Sequence, residues 1–174
     1  MNIFILNKDP IKSAEAYVKM HLSKMILEFS QLLSTAIHET KPINEWEFLS
    51  DVKTEYKTTH KNHPCAIWVR SNPNHFKWLA GFTHILHEEF KHRRNKSHLA
   101  YTKLSDWKII KPDYIDVCLN TDIESLTPPK CMPDEYKSDT VVQSYRNYYS
   151  IAKSNLHDWE CRQIPEWINI GEQQ

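Results

Sequence analysis

His21, Lys24, Glu28, Gln31 and Thr35 recur at intervals of three and four within "HLSKMILEFSQLLST". At about 100° per residue they span roughly 80° of helical arc, directly beside the apolar sector. As a half-solvated boundary row, this stripe needs only the i,i+4 pairing of Lys24 with Glu28. As the wall of a cleft, it sets a partly desolvated carboxylate beside an imidazole and an amine, groups suited to acid–base or charge-stabilising work. A second set, His60, Asn62 and His63, lies in "HKNHPCAIW" just ahead of Pro64. There Asn62 or His63 can cap a helix, or the outward-pointing N–H groups can receive an anion such as phosphate.

Two further groups suit nucleic acid. Lys91, His92, Arg93, Arg94 and Lys96 form the densest basic run, at the end of a helical pattern whose dipole explains part of it. In "SYRNYYSIAK", Tyr145 and Tyr149 are interleaved with Arg146, an arrangement suited to stacking on bases or to packing a core. His84, His87 and Glu88 resemble a metal motif, but the histidines are i,i+3 and the carboxylate follows the second one. No metal or other cofactor is expected.

These side chains need helices to position them. Asp9 and Pro10 form a start signal, and Ala14, Val18, Leu22, Met25, Phe29, Leu32, Leu33 and Ala36 continue the helical spacing until Pro42 interrupts it. Residues 42–57 read as a polar loop with a short helix. Pro64 and Pro73 can each open a helix, and the second continues through Phe76, Leu79, Ala80, Thr83, Leu86 and Phe90. "SHLAYTKL" reads as a short helix, and residues 105–137, with four prolines, as a long irregular connection. A closing helix is expected from a cap at Ser138 or Asp139 through to Trp159. The expected fold is all-α: one domain over residues 1–174, about three principal helices, and a tucked-in N-terminal arm, "MNIFIL".

Composition sets the limits. The 174 residues carry 22 basic and 22 acidic side chains, so no global field draws the protein to a polyanion. Only two glycines leave little room for tight hairpins, which favours helices. Four scattered cysteines without a CxxC pair fit free thiols in a reducing compartment better than a disulfide framework. No apolar run approaches membrane-spanning length, so no membrane partner is expected.

The motifs H-x-x-K-M-x-x-E-x-x-Q from His21, H-x-N-H-P-x-x-x-W from His60 and YR-x-YY-x-x-x-K from Tyr145 resemble a group of small phage and bacterial proteins that begin "MNIF". More distantly, the layout is similar to the phage pyrimidine-dimer DNA glycosylases of the endonuclease V type. In that family a His and the catalytic Glu lie seven residues apart on the first long helix, the interval between His21 and Glu28 here. "NHPCAIW", "KPDYI" and "YRNYY" loosely echo its later segments. The resemblance implies an all-helical base-excision enzyme of the cytoplasm, here of a phage-infected host cell, acting on DNA with a damaged or modified base. An α-amine would attack the sugar C1′ to form a Schiff base while the Glu stabilises ring opening. With an ordinary pKa near 7.7–8.0, an α-amine is partly neutral at pH 7, unlike a typical lysine.

The sequence departs from that family in two places. Position 2 is Asn, so Met1 is expected to be retained and to carry the amine, with Lys24 as the alternative. Leu27 and Phe29 stand where the family's arginines flank its Glu. The expected catalytic set is therefore Glu28, His21, Lys24, Met1 and His63, and the nucleic-acid set is His60, Asn62, Arg93, Arg94, Tyr145, Arg146 and Tyr149. Two other functions fit the same residues: a non-catalytic nucleic-acid or nucleotide binder using the basic and aromatic groups, and a small nucleotide-processing enzyme.

Overall fold

Caps written in the sequence set most helix starts. In the computed structural model, which describes residues 1–40 and 44–168, α1 (Pro10–Glu15) begins where the Asp9 carboxylate accepts the Ile11 and Lys12 N–H groups. Next come α2 (Lys19–Thr40), α3 (Pro64–Ser71) and α4 (Pro73–Arg94). His63 caps α3, and Asn72 alone separates α3 from α4 while capping the latter. α5 (Leu99–Asp106), α6 (Pro112–Asn120) and α7 (Val141–Ala152) complete the set, with short 3-10 turns at Ile123–Leu126 and Asp134–Tyr136 between the last two. No strand occurs among the described residues, so the fold is all-α as expected, but with seven helices instead of about three.

α4 is the central element. It is buried on nearly every side, from Phe76 to Phe90, and packs against α1, α2, α3, α5 and α6. The α4–α6 contact is the most extensive and depends on Gly81: a Cβ there would overlap the Tyr114 carbonyl and stand 2.7 Å from the Cys118 Cβ. α6 is the main correction to the expected irregular connection. Pro112 occupies its first turn, and Tyr114 and Cys118 place a buried edge against α4.

The single first helix is also corrected. It breaks at residues 16–18 because its carbonyls are taken from outside. Arg93 donates to the Glu15 and Tyr17 carbonyls at 2.9 Å each, and the Trp159 indole N–H donates to Ala16 O at 2.8 Å. The Val18 N–H donates to Tyr149 Oη at 3.0 Å. Trp159 can reach Ala16 because α7 ends at Ala152, well before the expected end at Trp159, and the chain folds back through a turn at Ser154–Leu156. The cap of α7 is Thr140, not Ser138 or Asp139. The interruption expected at Pro42 lies outside the described residues.

The N-terminal arm is tucked in. Ile3, Phe4, Ile5 and Leu6 are buried, and the Phe4 ring is surrounded by Tyr17, His21, Tyr145, Tyr148 and Tyr149. Backbone bonds fix its register: Tyr17 Oη donates to Phe4 O (2.7 Å), Leu6 N–H to Ser13 Oγ (2.9 Å), and Arg146 Nε to Leu6 O (2.7 Å). No helix among the described residues is long and apolar enough to cross a membrane.

Candidate active site

Threading the arm through the core delivers its first residue to the polar edge of α2. The Met1 α-amine lies 3.9 Å from Glu28 Oε2, and Lys24 Nζ lies 3.4 Å from Glu28 Oε1. One carboxylate thus stands between two amines. The Met1 and Glu28 side chains are 5% and 15% exposed, whereas Lys24 is 61% exposed. A carboxylate so largely withdrawn from water interacts with neighbouring charge more strongly than one in bulk solvent. Asn2 Nδ2 donates to the Cys131 carbonyl at 3.0 Å, fixing the residue behind the amine.

His63 comes to the same place through the far end of the stripe. Thr35 Oγ1 accepts the Thr59 N–H (3.1 Å) and donates to the Thr59 carbonyl (3.2 Å), docking the segment that leads to α3 against α2. His63 is half-buried, and burial, the Met1 ammonium and His60 hold its pKa below the usual value against the opposing pull of Glu28. His60 and Asn62 are exposed beside it, His60 with a left-handed backbone (φ 47°) and a contact to Thr59 Oγ1.

His21 packs against the arm that carries the amine. Seven residues of helix rise separate it from Glu28 by about 10 Å along the axis. Its ring stacks on Phe4 (centroids 4.6 Å apart), and Nδ1 lies 2.9 Å from Tyr149 Oη, which already accepts the Val18 N–H. Burial, reinforced by Lys153 and Lys24, pushes its pKa down to about 4, so the ring is neutral near pH 7. His21 therefore acts on the arm that carries the amine.

Much of the expected nucleic-acid set is used inside the fold. The Arg93 side chain is fully buried, bonding Glu89 at 2.6 Å as well as the carbonyls of the α1–α2 break. Burial pushes the Glu89 carboxyl up, but Arg162 and Arg93 outweigh it and hold the group below its ordinary value. Arg94 pairs with Glu160 at 3.0 Å. Tyr145 and Tyr149 are fully buried, Tyr145 donating to Pro129 O, so neither offers a ring face to a base. Arg146 is bound to Leu6 O and lies over the Trp167 ring at 5.3 Å. At the discounted metal motif, His87 stacks on Tyr101 and His84 bonds the Tyr101 hydroxyl.

Cysteine spacing gave no hint that Cys65 and Cys131 would meet. Their sulfurs are 3.6 Å apart, next to the terminal amine. Hydrogen bonding from Cys65, aided by the Met1 ammonium, lowers the Cys131 thiol to about 7, while donating that bond and burial push Cys65 up. Two clefts open elsewhere, of about 850 Å³ beside Arg146 and Trp167 and about 360 Å³ beside His84 and Leu119; neither is lined by Met1 or Glu28.

Neither curated proteins nor solved structures give a match to this chain. A family model described as pyrimidine dimer DNA glycosylase matches residues 1–102, the stretch that contains Met1, Lys24, Glu28 and His63. With more than half of the chain covered, the protein belongs to the pyrimidine dimer DNA glycosylase family.

Proposed function

We propose that the protein is a DNA glycosylase with associated lyase activity that excises a damaged or modified base, with the Met1 α-amine as nucleophile and Glu28 as the central carboxylate. The observation that carries this reading is the 3.9 Å approach of the amine to Glu28. A neutral amine attacks C1′, the glycosidic bond breaks, and the base leaves with the bonding electrons. The amine then loses a proton as C1′ becomes an iminium, and the sugar ring opens at O4′. Glu28 stabilises the positive charge that develops at C1′ and takes part in the proton transfers. Lys24 holds the other carboxylate oxygen, His63 flanks the amine, and His21 positions the arm. His60 and Asn62 are the exposed neighbours available to the DNA backbone, and the base is reached by flipping it from the stack.

Borohydride reduction of the protein with a duplex carrying a cyclobutane pyrimidine dimer tests this. The expected result is a covalent adduct that maps to the Met1 peptide and is abolished in Glu28→Gln. An adduct on Lys24 refutes the terminal nucleophile. No adduct with dimer, abasic or modified-base duplexes refutes the Schiff-base reading altogether.

A further inference from the structure

Next to the amine–carboxylate pair lies a group of ligating side chains that base excision does not use. His63 and Cys65 flank Pro64 at the start of α3, and Cys131 joins them from the segment preceding α7. A ring nitrogen of His63 and the sulfurs of Cys65 and Cys131 lie within 4.8 Å of one another, the two sulfurs at 3.6 Å. Two thiolates bound tetrahedrally at about 2.3 Å from zinc are about 3.8 Å apart, so these sulfurs already stand at ligand spacing. A disulfide would need them at about 2.0 Å.

We propose that His63, Cys65 and Cys131 bind one zinc-class divalent cation through an imidazole nitrogen and two thiolates. Two sulfurs and an imidazole favour Zn²⁺ and its surrogate Co²⁺ over Mg²⁺ or Ca²⁺, which prefer oxygen. The ligands are preformed. Cys65 is fixed in the first turn of α3, and Cys131 is held at both backbone ends, its N–H donating to Tyr145 Oη (3.4 Å) and its carbonyl accepting from Asn2 (3.0 Å). Cys65 is closed off, but His63 and Cys131 are half-exposed, which leaves a route from solvent. On ligation the two thiol protons pass to solvent. Three protein ligands leave a fourth position open. The metal site does not rest on the Schiff-base reading.

The test uses full-length protein, fully reduced, in a Cys161→Ser background that removes the exposed thiol. Titration with Co²⁺ is expected to give one equivalent bound per chain, with a sulfur-to-cobalt charge-transfer band that Zn²⁺ abolishes. Cys131→Ala, at a half-exposed position, is expected to keep the native circular dichroism, lose the band and weaken Zn²⁺ binding by about 100-fold or more. His63→Ala is expected to weaken binding with the sulfur band retained. Absence of the band in natively folded, reduced protein overturns the proposal, as does a band that survives Cys131→Ala. Metal binding is read without DNA, so failure of the trapping experiment leaves its outcome unaffected.

Discussion

Placing one glycine ahead of Met1 challenges the proposed nucleophile without touching Glu28. The extension turns the Met1 nitrogen into an amide and moves the free amine one residue further, about 3.8 Å between consecutive Cα atoms. That displacement equals the whole Met1–Glu28 separation of 3.9 Å. The arm cannot slide back to compensate. Ile3 to Leu6 are buried, and a one-residue slip would break the bonds from Tyr17 to Phe4, from Leu6 to Ser13 and from Arg146 to Leu6. At about 1 kcal/mol each, those bonds together with the misplaced Phe4 ring outweigh any gain from restoring one ion pair. The amine is therefore displaced and the fold is kept. Because a 1 Å misplacement can cost about 100-fold in rate, adduct formation should fall by at least about 100-fold while the unfolding midpoint changes little. Single-turnover borohydride quenching on a dimer-containing duplex, with and without the added glycine, measures this. Undiminished adduct formation by the extended protein would refute the reasoning and move the nucleophile to Lys24, where Lys24→Arg must then abolish the adduct.

Arg93→Ala should destabilise the protein by about 2–4 kcal/mol in urea unfolding, because it leaves the Glu15 and Tyr17 carbonyls short of a partner and Glu89 held by Arg162 alone; a loss below about 1 kcal/mol would contradict its buried role. Gly81→Ala should cost about 1–3 kcal/mol through overlap with the Tyr114 carbonyl, overriding the helix-propensity gain of about 1 kcal/mol, and net stabilisation would disprove the close α4–α6 approach. Acid should unfold the protein through two buried histidines, because burial lowers the folded pKa of His21 and His87 from 6.5 to about 4. Their neutral forms support the fold fully above pH 6.5, and that support is lost as pH falls from 6.5 through 4, by at most about 3 kcal/mol each. Urea midpoints between pH 7.5 and 4.5 measure the loss. His87→Phe, which keeps a ring against Tyr101, should shrink it, and an unchanged pH profile would contradict the assignment for His87.

Long-period features were legible in the sequence and cross-chain ones were not. Asp9, Pro64 and Pro73 mark helix starts through local chemistry, and the apolar spacing of α4 survives its near-complete burial. The break after α1 has no local signal, because Arg93 and Trp159 impose it from distant parts of the chain. α6 was obscured by reading Pro112 as one of a run of breakers, although proline suits a first helical turn. Arg93, Tyr145 and Tyr149 show the limit of pattern reading. Cations interleaved with aromatics look alike whether they face a nucleic acid or satisfy buried carbonyls and hydroxyls. The pairings of Tyr149 with His21 and of Cys131 with Asn2 gave no signal, since the partners are more than 100 residues apart.

Members of the stripe on α2 meet partners from distant parts of the chain. His21, under the Phe4 ring, steadies the arm; Glu28 meets its amine on one oxygen and Lys24 on the other; Thr35 grips the backbone that presents His63. An interval of seven places residues on one face but two turns apart, so His21 and Glu28 share a direction without sharing a contact. Spacing along a helix marks a shared face, and the partners of each side chain distinguish its members. Only a buried arm with a single allowed register can hold a flexible chain terminus beside a carboxylate, which makes the apolar run "MNIFIL" as necessary to the proposed chemistry as Glu28.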